Sequence, residues 1–166
     1  MDNIILIGMP GSGKSTVGVL LAKLLGYGFI DSDLIIQHTA GKKLFEILRD
    51  EGAEYFARLE SSANANLMAH NTVIATGGSV VYSKEAMEHL KSIGTVVYLR
   101  VSLKELERRV NNFETRGIVM KKGQTLADIF EERASLYEKY ADITVNCSKG
   151  SLMKNAEKIF EAIGGE

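Results

Sequence analysis

The chain has 166 residues, 45% hydrophobic and 25% charged, enough for one domain with a full hydrophobic core. Lys and Arg number 20 against 21 Asp and Glu, a net charge of -1, which excludes holding nucleic acid by bulk positive charge. The single cysteine, Cys147, excludes a disulfide framework and a multi-cysteine zinc site, and no apolar run approaches the ~18 residues of a membrane helix.

Five short apolar runs rich in β-branched residues, at 3–8, 28–31, 72–76, 95–101 and 143–146, alternate with longer amphipathic stretches. The first, third and fourth are nearly continuous apolar, the pattern of strands buried on both faces of a parallel sheet. After the first run, Val17, Leu20, Leu21, Leu24 and Leu25 recur at helical spacing, and Gly26 stands where a C-terminal cap belongs. The stretch 41–69 reads as two helices broken near Gly52. The segment 111–124 is polar, carries Arg116, Lys121 and Lys122 close to Arg109, and reads as a mobile loop. A later helix carries Leu126, Ile129, Phe130, Tyr137 and Tyr140 on one stripe, with Arg133 interrupting it. The last helix repeats the pattern with Leu152, Ala156, Ile159, Phe160 and Ile163. Strand and helix alternate throughout, so the fold class is α/β. The N-terminus lacks a basic leader segment, so the expected location is the cytoplasm.

Gly8-Met9-Pro10-Gly11-Ser12-Gly13-Lys14-Ser15 matches G-x-x-x-x-G-K-[ST] between a buried strand and a helix. Such a loop turns backbone N–H groups toward phosphate oxygens, and the helix adds its positive dipole end. Gly11, Ser12, Gly13, Lys14, Ser15 and Thr16 are therefore the candidate ATP-binding residues, with Lys14 reaching the β- and γ-phosphates and Ser15 offering its hydroxyl to Mg²⁺. No guanine-specific N-K-x-D run is present, and the chain is short for a mechanical ATPase. A small-molecule kinase fits best, and it needs a second pocket that sets an acceptor hydroxyl in line with the γ-phosphate. Asp31-Ser32-Asp33 ends the second strand, at the edge that faces the ligand crevice in open α/β sheets. These carboxylates can hold a Mg²⁺ water shell or take a proton from the hydroxyl, while Asp31 or Ser32 can alternatively cap the next helix. Arg109 suits adenine stacking, phosphate neutralisation or helix capping equally. The three histidines show no metal spacing.

The sequences GMPGSGKST, D-S-D, F-A-R-L-E (56–60), T-G-G-S (76–79), R-G (116–117) and E-R-x-x-L-Y (132–137) occur in the order found in shikimate kinases, and the chain resembles that family over nearly its whole length. The resemblance implies a P-loop NTPase three-layer fold, with a five-stranded parallel sheet in the order 2-3-1-4-5 flanked by helices. It implies one kinase domain over 1–166, with substrate-binding helices at about 33–69 and a lid at about 111–124. It further implies ATP and Mg²⁺ as cofactors and a small hydroxylated carboxylic acid as acceptor, with neither nucleic acid nor membrane as partner; a monomer is expected. Lys14, Asp33 and Arg116 are then the catalytic residues. Asp33, Arg58, Gly77, Gly78 and Arg133 bind the acceptor, Ser15 and Asp31 serve the metal, and Arg109 joins the nucleotide site. Three positions depart from the family pattern: Ala57 stands where a carboxylate-binding arginine is usual, Ser79 replaces a third glycine, and Gly117 replaces a proline. Arg58, one residue later, is about 100° further round the helix and is no simple substitute. Shikimate is the leading acceptor. The alternatives are a kinase for another hydroxy acid or polyol of the gluconate kind, and a nucleotide-binding regulator with slow hydrolysis.

Overall fold

The computed structural model describes residues 3–110 and 117–165. Its centre is β1 (Asn3–Ile7), five residues buried without exception. On one side lie β3 (Thr72–Ala75) and β2 (Gly28–Asp31), on the other β4 (Gly94–Arg100) and β5 (Ile143–Asn146). The order is β2-β3-β1-β4-β5 and every pairing is parallel, as the resemblance implies. The continuous apolar runs are the strands covered on both faces, whereas β2 and β5, at the edges, are only partly covered. Asn3 anchors the start of β1. Its amide donates to the carbonyls of Ala69 (2.7 Å) and Ile93 (3.0 Å) and accepts from the Thr72 N–H (3.1 Å), so a buried polar side chain is fully used.

Helix α1 (Lys14–Leu25) follows β1 and closes on Gly26 in the left-handed conformation, φ 68°. Next come α2 (Ser32–Ala40) and α3 (Leu44–Ala65). The break expected near Gly52 is present, with φ 86° and ψ 169° inside α3. Beyond β3 lie α4 (Lys84–Ile93), α5 (Leu103–Arg109), α6 (Leu126–Tyr140) and α7 (Leu152–Ala162). A large apolar cluster surrounds the sheet. A second, small one of Ile36, Leu44, Ile47 and Phe56 lies between α2 and α3, with Val119 packed against it. Leu152 departs from its expected place in the core stripe of α7: it is 39% exposed and faces the P-loop.

Candidate active site

All the sheet's C-terminal ends open on one side, and the loops there enclose a cavity of about 420 Å³. The P-loop forms one wall. Gly11 (φ 82°) and Gly13 (φ 92°) adopt conformations that side chains resist, and a Cβ on Gly11 would stand 2.5 Å from Val110 Cγ2. Lys14, at the first turn of α1, folds back over the loop. Its ammonium donates to the carbonyls of Gly8 (2.7 Å) and Met9 (2.9 Å) and to Ser12 Oγ (3.4 Å). Burial lowers its pKa to about 8, against the opposing pull of Asp33. Ser15 and Thr16 line the cavity beside it. Arg109, from the end of α5, donates to Glu105 Oε1 (2.7 Å), to the Cys147 carbonyl (3.2 Å) and to the Gly11 carbonyl (3.5 Å). It thus braces the loop while lining the cavity.

Asp31 takes the capping alternative and more. Its Oδ1 accepts the Asp33 N–H (3.0 Å) as the N-cap of α2, and its Oδ2 accepts the Ser15 hydroxyl (2.6 Å). One carboxylate therefore ties the acceptor-side helix to the P-loop helix. A hydroxyl and a carboxylate beside Asp33 are hard oxygen donors that suit Mg²⁺, and no group of three or more acidic, histidine or cysteine ligands occurs among the described residues. The donor set fits an ion held mainly by phosphate oxygens and water, not an all-protein cage. Asp33 lines the cavity opposite. Burial, reinforced by Asp31 and opposed by Lys14, raises its carboxyl pKa to about 6.

The acceptor wall comes from α3, the turn after β3, and α6. Gly77 and Gly78 are places where a side chain has no room: a Cβ on Gly77 would collide with Glu60 Oε1 and lie 2.9 Å from Asp33 Oδ1, and one on Gly78 would lie 2.9 Å from Pro10. The turn is fixed from below by Tyr137, whose hydroxyl donates to the Gly78 carbonyl (2.6 Å) and whose ring stacks on Tyr98 at 5.1 Å. Arg133 is 1% exposed yet lines the cavity. It donates to the Val119 carbonyl (2.6 Å) and the Tyr82 hydroxyl (3.3 Å), and no ion pair among the described residues includes it. An inward guanidinium on neutral partners is available to an anion. Glu60 is buried beside it, accepting from Ser79 Oγ at 2.5 Å, and burial raises its pKa to about 7.

Two expected residues are not gathered here. Arg58 points outward, paired with Glu54 at 3.0 Å and set over the Tyr55 ring, and does not line this cavity; neither does Ala57, which is also exposed. Arg116 lies outside the described residues, as do 111–115 of the expected lid, while Gly117, Ile118 and Val119 line the cavity. Glu60, Ser79, Tyr82 and Tyr137 join the site without having been singled out for it. The only sequence signals were motif places, Glu60 in F-A-R-L-E and Tyr137 at the end of E-R-x-x-L-Y, where it also read as a core position.

The shikimate kinase sequence model matches residues 10–164. The chain belongs to the shikimate kinase family. It is 40% identical over 161 residues to the shikimate kinase of Clostridium botulinum (strain Okra / Type B1), covering 93% of this chain and 94% of that one. The shikimate kinase of Persephonella marina is 37% identical over 147 residues, 88% of this chain and 89% of the relative. Among solved structures, shikimate kinase from Acinetobacter baumannii in complex with shikimate superposes with a TM-score of 0.91 at 33% identity, covering 98% of this chain and 93% of that chain. Family membership accounts for the ATP-type P-loop and the kinase fold together.

Proposed function

We propose that the chain transfers the γ-phosphate of ATP to a hydroxyl of shikimate. The observation that carries this reading is one cavity that sets Lys14, Asp33 and Arg133 around the same space. A phosphoryl chain laid on the P-loop N–H groups brings its β- and γ-oxygens to Lys14, which exchanges carbonyl partners for charged ones. Asp33, with its pKa near 6, is ionised at neutral pH yet basic enough to orient the acceptor hydroxyl and take its proton as oxygen attacks the γ-phosphorus. The bond from that phosphorus to the β,γ-bridging oxygen breaks, and ADP leaves. Arg133 meets the acceptor's carboxylate with its planar fork. Ser15 and Asp31 would hold Mg²⁺, which neutralises charge on the phosphate oxygens when bound. Arg116 is assigned to the transferring phosphate, and Arg109 to the nucleotide, where its position against the P-loop supports that role.

A second reading, a kinase for a different hydroxy acid, is favoured by Ala57 and by the outward turn of Arg58. ADP release measured over shikimate, quinate and gluconate separates the two. Shikimate is expected to give the highest kcat/KM; an inert shikimate beside an active second acid refutes the first reading, and ATP-only background with every acid refutes both.

A further inference from the structure

Arg133 is held from behind by a residue that lies in none of the sequence motifs. Its Nη2 donates to the Val119 carbonyl (2.6 Å) and its Nε to the Tyr82 hydroxyl (3.3 Å). Its Nη1 stands beside the acceptor turn, 3.2 Å from where a Cβ on Gly78 would be. Arg133 lines the acceptor cavity, whereas Tyr82 lines only the neighbouring one. The tyrosine therefore reaches the acceptor's space through the guanidinium alone.

Tyr82 ends the short 3-10 turn Val80–Tyr82, which follows directly on Gly77-Gly78-Ser79. It is 46% exposed, so burial of its ring does not account for its place, but its hydroxyl is used twice. That oxygen accepts from Arg133, and its proton goes to the Glu132 carboxylate. Glu132 also accepts from Gln124 Nε2 (3.2 Å), whose own Oε1 accepts the Lys121 N–H (2.8 Å). A hydroxyl with one donor and one acceptor partner has its rotor fixed. The ring adds a further hold, with the guanidinium carbon 5.3 Å from its centroid. The hydroxyl also stands between Glu132 and Arg133. A carboxylate directly on the guanidinium would compensate its charge, whereas a hydroxyl in between orients the group and leaves that charge for an incoming anion.

We propose that Tyr82 is a positioning residue for the acceptor: it holds Nε of Arg133 so that the rest of the guanidinium faces Gly78 and the acceptor's carboxylate, and it keeps Glu132 from pairing with Arg133. The proposal deepens the shikimate reading and rests on it. Tyr82 touches neither ATP nor the reacting atoms, so its effect is confined to acceptors that carry a carboxylate.

Tyr82→Phe keeps the ring and removes the hydroxyl. The KM for shikimate is expected to rise about tenfold, the order of one hydrogen bond to a charged group. The kcat and the KM for ATP should stay within twofold, because the anchor is the same in the ground and transition states. A shikimate analogue with a hydroxymethyl group in place of the carboxylate gives Arg133 no anion to grip. Its kcat/KM, low in wild type, should be unchanged in Tyr82→Phe. By NMR, the Arg133 Nε–H should exchange slowly with water in wild type and rapidly in the variant. The proposal is overturned if Tyr82→Phe leaves the KM for shikimate within twofold of wild type, or if the hydroxymethyl analogue loses as much as shikimate does; wild-type turnover of shikimate in either case leaves the shikimate reading standing. Inert shikimate with wild type refutes that reading instead. The same tenfold KM ratio is then expected with whichever of quinate or gluconate turns over, and its absence there overturns the role of Tyr82. ATP-only background with all three acids refutes both.

Discussion

Asp33→Asn should make the protein more stable and nearly inactive. Burial and the neighbouring Asp31 raise the Asp33 carboxyl from 3.8 to about 6. Between those pH values the folded chain holds a proton that the unfolded chain has released, so stability falls as pH climbs through the window, and the deficit is complete above it. At roughly 1.36 kcal/mol per pH unit, the shift corresponds to about 3 kcal/mol at neutral pH. Asparagine keeps the shape and carries no charge to desolvate, but it also deprives Lys14 of a nearby anion. The net gain should therefore be about 1–3 kcal/mol at pH 7.5, or roughly 3–10 °C in Tm for a domain of this size. Thermal unfolding of both proteins from pH 3.5 to 8 is the assay. The two Tm values should converge near pH 3.5, where Asp33 is largely protonated in both folded and unfolded wild type, while kcat at pH 7.5 falls 10²-fold or more. A variant that is no more stable at pH 7.5, or whose difference from wild type does not change with pH, refutes the reasoning.

Lys14→Ala should lower kcat at least 10²-fold with the fold retained by circular dichroism, because one preorganised charge at a transferring phosphate is of that order; loss of less than tenfold contradicts the assignment. The kcat/KM for ATP should fall below about pH 6 as Asp33 protonates and above about pH 8 as Lys14 loses its proton, and a profile flat from 5 to 9 would exclude both roles. Gly77→Ala should force Glu60 and Asp33 away from the turn and cost more than tenfold in kcat/KM for the acceptor, measured against an unchanged KM for ATP.

The phosphate half of the site was legible because its chemistry is local: Gly8 to Ser15 are contiguous, and the strand and helix that frame them carry their own periodicities. Sheet order was not in any period; it came with the resemblance and is what the structure has. The acceptor half is assembled from side chains far apart in sequence. Tyr137 reaches the Gly78 carbonyl across 59 positions and Arg133 the Tyr82 hydroxyl across 51, and no spacing rule announces such pairs. Arg133 was visible because a charge on an apolar stripe is anomalous. Tyr137, though it ends E-R-x-x-L-Y, read as core because a tyrosine on that stripe is not anomalous, and Ser79 read as a mere departure until its hydroxyl was seen on Glu60.

The small apolar cluster of Ile36, Leu44, Ile47 and Phe56 stands apart from the one that surrounds the sheet. Parting α2 from α3 uncovers four core side chains, whereas drawing β1 from its neighbours uncovers a far larger set, so the two events differ widely in free energy. Local opening between α2 and α3 therefore costs less than opening of the sheet beside the P-loop. Val119 packs on the small cluster and offers its carbonyl to Arg133, so the same opening would also disturb the guanidinium's seat.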